Sequence, residues 1–486
     1  MAPGWAAKFG PVSARWLRPR RLPITSFVVS ALVHALVLIV LGLWLTPRLP
    51  ISPIPSLFAR FADSSNPRLE QTARVAPRVE LAETSTPIDV IASALDIQAT
   101  KTNGKSAPSR ETPWQTVEPG ELTQQVGQGD ESSAAAALAG RHPSVRAKMV
   151  ASGGGTIASE DAVARGLRWL QAHQRSDGSW HFNHHEGPCK GWCSHPGKLH
   201  STTAATALAL LPFLGSGHTH RQGDYQPTVT AALYYLKGRM KPTSSGGDFQ
   251  EGTMYAQGLV GIALAEALAM TGDESLRPAT EAAVEYIVYA QDKNGGGWRY
   301  TPGQPGDMSV TGWQFMALRS GQMSYLRVPA DTIDRAISFL DHLSGDGGAT
   351  YGYLKPGTEP TNTAVGLLCR MYTGWRRETP ALARGMKYLA AQGPSPNDIY
   401  FNYYATQAMH HWGGPEWTAW NVPMRESLIA SQATSGHESG SWYFEDAHKS
   451  GVSGGRLYNT CMAIMTLEVY YRYLPLYGKR AVNDSF

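Results

Sequence analysis

Charge is scarce in this sequence: 17% of its 486 residues are Asp, Glu, Lys or Arg, against 42% hydrophobic. That is too little charge for a wholly disordered chain and enough apolar material for a large core. Acid is missing altogether from residues 1–23, where Lys8, Arg15, Arg18, Arg20 and Arg21 stand unopposed. These five exceed the formal net charge of +4 and leave the rest of the chain at −1. A nucleic-acid binder needs a basic face on its folded part, so no nucleic acid is expected as a partner. Cysteine is sparse too: four in the whole chain do not build a disulfide scaffold, and Cys369 and Cys461 lie in apolar helical runs as small hydrophobes. A Gly-x-Ser-x-Gly elbow, a His-Glu-x-x-His pair, a phosphate loop and a dinucleotide fingerprint are all lacking. No cofactor is expected.

Long apolar runs are equally rare. Residues 24–45 are free of charge, long enough to cross a hydrocarbon core of about 30 Å as a helix. The run is too long for a cleaved signal and ends in Trp44-Leu45-Thr46-Pro47 rather than a small-residue cleavage site. It is read as an uncleaved single-pass anchor in the inner, cytoplasmic membrane. The basic tail, residues 1–23, stays in the cytoplasm by the positive-inside rule, and the remainder is periplasmic or otherwise extracytoplasmic. Ser30 and His34 sit four apart, on one helix face. The string PRRLPITSFVVSALVHALVLIV around them resembles the N-terminal anchor of TonB-type energy transducers, which implies an envelope protein partner met through the Ser30/His34 face.

Aromatics are what the next stretch lacks: Phe58, Phe61 and Trp114 are the three in residues 47–157, beside 11 prolines. Such a segment buries too little apolar surface to offset chain entropy. Residues 46–157 are therefore read as a Pro-rich, mostly disordered tether with short helices at 88–96 and 131–150.

What the chain has in quantity is repetition. In 159–180, Val163, Gly166, Leu167 and Leu170 form one apolar stripe behind Ser159, a candidate helix cap. In 282–298, Ala283, Tyr286, Ile287 and Ala290 repeat the offsets, and 426–442 repeats the pattern again. These three copies run from a Gln to a Gly and a Trp: Gln174 to Trp180, Gln291 to Trp298 and Gln432 to Trp442. Weaker copies lie at 230–249, 334–353 and 385–401. Each is followed by a helix of small and apolar residues, at 202–214, 254–268, 310–320, 361–372, 402–412 and 458–471. Twelve helices in six pairs, with the more apolar member of each pair buried, predict an inner ring inside an outer one.

The Gln-to-Gly-Trp pattern resembles the QW repeats of squalene-hopene cyclases and the related protein prenyltransferase β subunits. The resemblance implies an all-α, α6/α6 toroid over residues 158–475, and a lipid or isoprenoid as ligand class. Cyclases of that family protonate substrate with an Asp-x-Asp-Asp-Thr cluster. Here Asp307-Met308-Ser309-Val310-Thr311 and Glu359-Pro360-Thr361-Asn362-Thr363 stand at the analogous helix starts, each with a single acid. The prenyltransferase zinc elements have Tyr458-Asn459-Thr460-Cys461 and Val310-Thr311-Gly312-Trp313 as counterparts, lacking the ligating His and thiol. What remains at the inner-helix starts is neutral and aromatic: Thr203, Tyr255, Gln257, Thr311, Trp313, Asn362, Asn402, Tyr404 and Asn459. They read either as a ligand pocket at the toroid mouth or as helix caps and loop ties.

Residues 181–200 interrupt the first pair with five His and two Cys. A Cys189–Cys193 disulfide is the leading reading of this insertion, and a metal held by Cys189, Cys193, His195 and His200 is its rival. The functional expectation is a membrane-anchored binding or scaffold module that lacks the family's catalytic Asp cluster and zinc site. The alternative is an enzyme acting on an isoprenoid, lipid or glycan in the mouth, with Asp307 or Glu359 as acid.

Overall fold

The computed structural model describes residue 34, residues 138–444 and residues 449–477. The chain divides into two compact units, residues 1–83 and 84–486. In the first, His34 is the one described residue, helical and exposed; the basic tail, Ser30, the rest of the expected anchor and most of the tether lie outside the described residues. Among the described residues, one helix, Met254–Thr271, is long and apolar enough to cross a membrane, and it is a buried core helix.

The second unit holds, in chain order, α1 (Pro143–Gly153), α2 (Ile157–Ala172), α3 (Thr202–Gly215), α4 (Gln226–Arg239), α5 (Met254–Thr271), α6 (Arg277–Ala290) and α7 (Met308–Met323). It continues with α8 (Ala330–Leu343), α9 (Pro360–Tyr372), α10 (Pro380–Gln392), α11 (Ile399–Trp412), α12 (Gly414–Ser431), α13 (Lys449–Leu467) and α14 (Val469–Arg472). Local sequence sets their starts. Thr156 and Ser159 form a reciprocal capping box on α2, so Ser159 is the inner partner of the cap and Thr156 is the cap itself. Ser201, Asp307 and Asp398 cap α3, α7 and α11 through the backbone N–H groups of Ala204, Val310 and Phe401. Proline fills the first turn of α4, α6, α9, α10 and α12, where its missing N–H costs nothing. Two short antiparallel hairpins pair Lys241–Thr243 with Gly246–Asp248 and Ser344–Gly345 with Thr350–Tyr351.

Helices α3, α5, α7, α9, α11 and α13 pack each on the next, and α13 packs back on α3. The even-numbered helices α2 to α12 lie outside them. This is a closed α/α toroid, and α5 and α7 are buried nearly all round, as inner helices must be.

The repeated sequence signature has a mechanical reading. Gln174, Gln291 and Gln432 each donate to a glycine carbonyl of their own loop and to a carbonyl of the next outer helix, of Thr228, Thr332 and Ala162 respectively. The last of these joins repeat six to repeat one. Trp180, Trp298 and Trp442 donate from Nε1 to carbonyls of the preceding outer helix. Their backbone N–H groups donate to Thr206, Thr311 and Thr460 on the following inner helix, each at 3.0 Å. Thr311→Val should therefore cost about 1–3 kcal/mol, because the buried Trp298 N–H loses its acceptor. Denaturant unfolding of that variant beside the wild type, with Thr311→Ser as the variant that keeps the acceptor, measures it.

Residues 138–157, assigned to the tether on composition, pack onto the toroid. Leu138 lies against Met323 and Tyr473, and α1 packs on α14 through Met149, Val150, Tyr470 and Tyr471. Arg141, fully buried, reaches the Glu266 carboxylate at 2.8 Å and the carbonyl of Arg472 at 2.9 Å. Composition averaged over the tether missed this, because the partners that hold the segment, Met323, Tyr470, Tyr471 and Glu266, are far away in sequence.

Candidate functional site

Inner helices alternate with outer ones along the chain, so all six inner helices run the same way and their N-termini share one end of the ring. Contacts confirm it. The Tyr255 hydroxyl at the start of α5 donates to Ser309 Oγ at the start of α7, at 2.9 Å, and Ser309 Oγ lies 2.9 Å from the Tyr400 hydroxyl at the start of α11. Tyr300 and Tyr353, from two neighbouring loops, meet hydroxyl to hydroxyl at 3.1 Å, and Tyr300 stays 37% exposed. Glu251 accepts from the backbone N–H of Thr203 at 2.6 Å and from Ser201 and Thr202, and Arg239 pairs with it. This end is a mouth lined by hydroxyls and aromatic faces.

Asp307 sits beneath it, fully buried. One carboxylate oxygen caps α7, and the other lies 3.6 Å from Arg299 Nε. Burial pushes its carboxyl above the usual carboxylate range, against the pull of the Val310 N–H, Tyr353 and Arg299. Glu359, the other candidate acid, is exposed and makes no side-chain cap on α9.

Below the mouth the ring is filled by the chain's own side chains. Trp313 of α7 stacks on Tyr403 of α11 with centroids 5.9 Å apart and meets Tyr404 edge-on at 5.8 Å, although α9 lies between these helices in the ring. At the far end Arg472 donates to the Leu211 carbonyl of α3 and pairs with Glu266 of α5 and with Glu468, the residue between α13 and α14. This cation stands at the C-terminal ends of inner helices, where the helix dipoles favour positive charge.

Of the residues expected to form a ligand pocket, Tyr255 lines the mouth, and Trp313 and Tyr404 belong to the aromatic fill beneath it. Asn362 is half-buried at the start of α9. The others are loop ties. Gln257 accepts from the Phe249 N–H and donates to the Gly247 and Ala283 carbonyls. Thr311 holds Trp298, Asn402 exchanges two hydrogen bonds with the Ser395 backbone, and Asn459 donates to the Gly451 and Gly455 carbonyls. Tyr300 and Tyr353 come from loops, outside the inner-helix positions to which the resemblance drew attention, whereas Tyr400 and Ser309 stand at the starts of α11 and α7 without matching a motif residue.

The expected Cys189–Cys193 disulfide is absent: both are buried free thiols. The Cys193 N–H donates to Cys189 Sγ at 3.3 Å, and the Cys193 sulfur faces His173 Nε2 at 3.4 Å and His437 Nδ1 at 3.1 Å. The expected metal partners are elsewhere. His195 stacks flat on Tyr443 and bonds Ser194 and Arg456, and His200 is exposed with its edge toward His181. Burial pushes His173 down to about 4, so its imidazole is neutral.

The closed ring of six inner helices makes this chain an α/α toroid. No family model matches it, and no curated protein does. Among solved structures it is similar to an α-1,6-mannanase of family GH76 from Salegentibacter sp. HEL1_6, at 12% identity over 64% of this chain and 98% of that one, with a TM-score of 0.46. An inactive variant of that mannanase in complex with α-1,6-mannotriose matches at 11% identity, over 64% of this chain and 99% of the other, also with a TM-score of 0.46. A type II terpene cyclase from Scytonema, in complex with geranylgeranyl dihydroxybenzoate, matches at 12% identity over 65% and 97%, with a TM-score of 0.42.

Proposed function

We propose that this chain is a binding module of the cell envelope, a rigid toroid carried on a membrane anchor and a Pro-rich tether, with its ligand surface at the mouth. The observation that carries this reading is the filled ring. Trp313, Tyr403 and Tyr404 occupy the space beneath the mouth, and the Arg472–Glu266 pair closes the far end. A catalytic toroid needs an enclosed cavity that takes substrate away from water. The mouth itself offers tyrosine faces and hydroxyls, with Tyr300 exposed, Tyr255 and Tyr353 half-buried and Tyr400 beneath them. It suits a ligand with an apolar face and a polar edge, such as a glycan or the head of an isoprenoid lipid.

One observation favours the enzyme reading: Asp307 is a buried carboxyl held toward its protonated form, the state a general acid requires. Against it, one Asp307 oxygen is already spent capping α7, and the other carboxylate at the mouth, Glu251, is taken up by the Thr203 N–H, Ser201, Thr202 and Arg239.

The test is capture. Purified full-length protein passed over glycan and polyprenyl-lipid arrays should retain one ligand class. A Tyr300→Ala/Tyr353→Ala double variant should weaken that capture at least tenfold while the melting temperature stays within a few degrees. Capture unchanged in the double variant would move the ligand surface away from the mouth.

A further inference from the structure

The first outer helix, the 181–200 insertion and the last inter-helix loop converge on one point. His173 closes the C-terminus of α2, Cys189 and Cys193 come from the insertion, and His437 lies in the loop between α12 and Trp442. One ligand atom from each of the four residues can be chosen so that all lie within 4.8 Å of one another. In a tetrahedral site with zinc–sulfur bonds of about 2.3 Å and zinc–nitrogen bonds of about 2.0 Å, donor-to-donor edges are about 3.3–3.8 Å. The Cys193–His437 and Cys193–His173 separations of 3.1 and 3.4 Å are already near that length.

The surroundings are those of a ligand shell. His173 Nδ1 lies 2.7 Å from the Trp169 carbonyl, to which its N–H donates, leaving the Nε2 lone pair aimed at the sulfurs. Its ring is fixed by stacking on Trp169 at 3.8 Å. The Cys193 N–H steadies the Cys189 sulfur, and His185 holds the Cys193 carbonyl at 2.6 Å. Trp192, exposed on the insertion, lies over the His437 ring.

We propose that His173, Cys189, Cys193 and His437 hold one divalent cation of the zinc class, in a closed Cys2His2 site that clasps repeat six to repeat one. Four protein ligands leave no open position, so the metal is structural, and two thiolates with two imidazoles select zinc over magnesium or calcium. Its place is the seam of the ring. The same seam carries Gln432 to Ala162, Arg165 to Gln432, Ser194 to Glu438 and Arg456 to Ser194. At Gly455 the backbone takes φ 64°, and a Cβ there would stand 2.3 Å from the Gly197 nitrogen, so the insertion is pressed against the start of the last inner helix. This inference rests on the ring and holds whether or not the mouth binds a ligand.

Full-length protein, purified under reducing conditions and reloaded with zinc, should carry about one equivalent per chain by elemental mass spectrometry. Cobalt substitution should give thiolate charge-transfer absorption and the visible bands of a tetrahedral site. Chelator should lower the melting temperature of the wild type by several degrees and leave that of a Cys189→Ser/Cys193→Ser variant unmoved. His437→Ala, at an exposed position, keeps the test open if the paired cysteine variant fails to fold: it should change the cobalt spectrum and weaken zinc retention at least tenfold. Absence of metal after reduction and reloading would overturn the proposal. So would zinc held undiminished by His437→Ala.

Discussion

Replacing Glu266 with Gln should cost about 3–5 kcal/mol at pH 7, one of the two largest losses expected from a change in this chain. Glu266 is fully buried and answers two equally buried cations, Arg141 at 2.8 Å and Arg472 at 3.2 Å, while the Tyr473 hydroxyl donates to its other oxygen. These arginines hold its carboxyl below the usual range against the opposing effect of burial. Neutralising it leaves the buried Arg141 without its carboxylate and Arg472 with Glu468 alone. Glu468 is the contrast. It lies in the same network, but burial outweighs Arg472 and pushes its carboxyl up to about 7.

A raised carboxyl favours folding in its protonated form. Its contribution is fully present below its unfolded value of about 4.5 and is lost as pH rises to about 7, a span worth about 3 kcal/mol. Glu266, with its lowered value, acts in the opposite direction: its contribution is present above the unfolded value and is lost as pH falls through the folded one. Glu468→Gln, which keeps a neutral side chain at every pH, should therefore match the wild type near pH 4.5, lack the decline between pH 4.5 and 7, and be the more stable of the two at pH 7.5. Denaturant unfolding across that range separates the two variants. Equal losses for both at pH 7.5 would refute this division of roles.

The second large effect concerns closure. Removing residues 414–477 deletes α12, α13 and α14, and with them the inner neighbour of both α3 and α11. An open stack of repeats loses only one interface when an end repeat is cut away. A closed ring loses two, and here the charged network at its far end as well. The truncated chain should unfold without a single cooperative transition and should bind a hydrophobic dye before heating. Trp442→Ala, which leaves the repeats in place but empties a fully buried site beside Leu428, should cost about 3–5 kcal/mol. A truncated chain that melts cooperatively at the wild-type temperature would mean that the ring does not act as one unit.

The helix pairs were legible because each carries its own signal: an apolar stripe, a cap and a Gln-to-Trp signature within about 20 residues. Inner helices expected at 202–214, 254–268 and 361–372 fall at Thr202–Gly215, Met254–Thr271 and Pro360–Tyr372. Roles that depend on a distant partner were not legible. Thr311 and Gln257 look like pocket residues until the Trp298 and Phe249 N–H groups appear beside them. Arg141 reads as one charge in a polar tether until Glu266 is placed opposite. The sequence offers Cys189 and Cys193 the histidines of their own insertion, His195 and His200 among them. Their true partners are His173, sixteen residues earlier, and His437, which only ring closure brings near. The loop of the last copy, SGHESGSW, carries the one His that a closed ring would set beside the first repeat.

The central functional claim is that the mouth holds a ligand without transforming it, and Asp307 is where that claim is most exposed. Asn caps helices as well as Asp, so Asp307→Asn removes the fully buried acid beneath the mouth while leaving α7 intact. The deciding measurement is mass spectrometry of polyprenyl lipids and glycans incubated with wild type and with this variant. Ligand returned unchanged by both proteins is the predicted result. New products formed by the wild type and lost in Asp307→Asn, with its fold preserved, would show that this toroid is an enzyme.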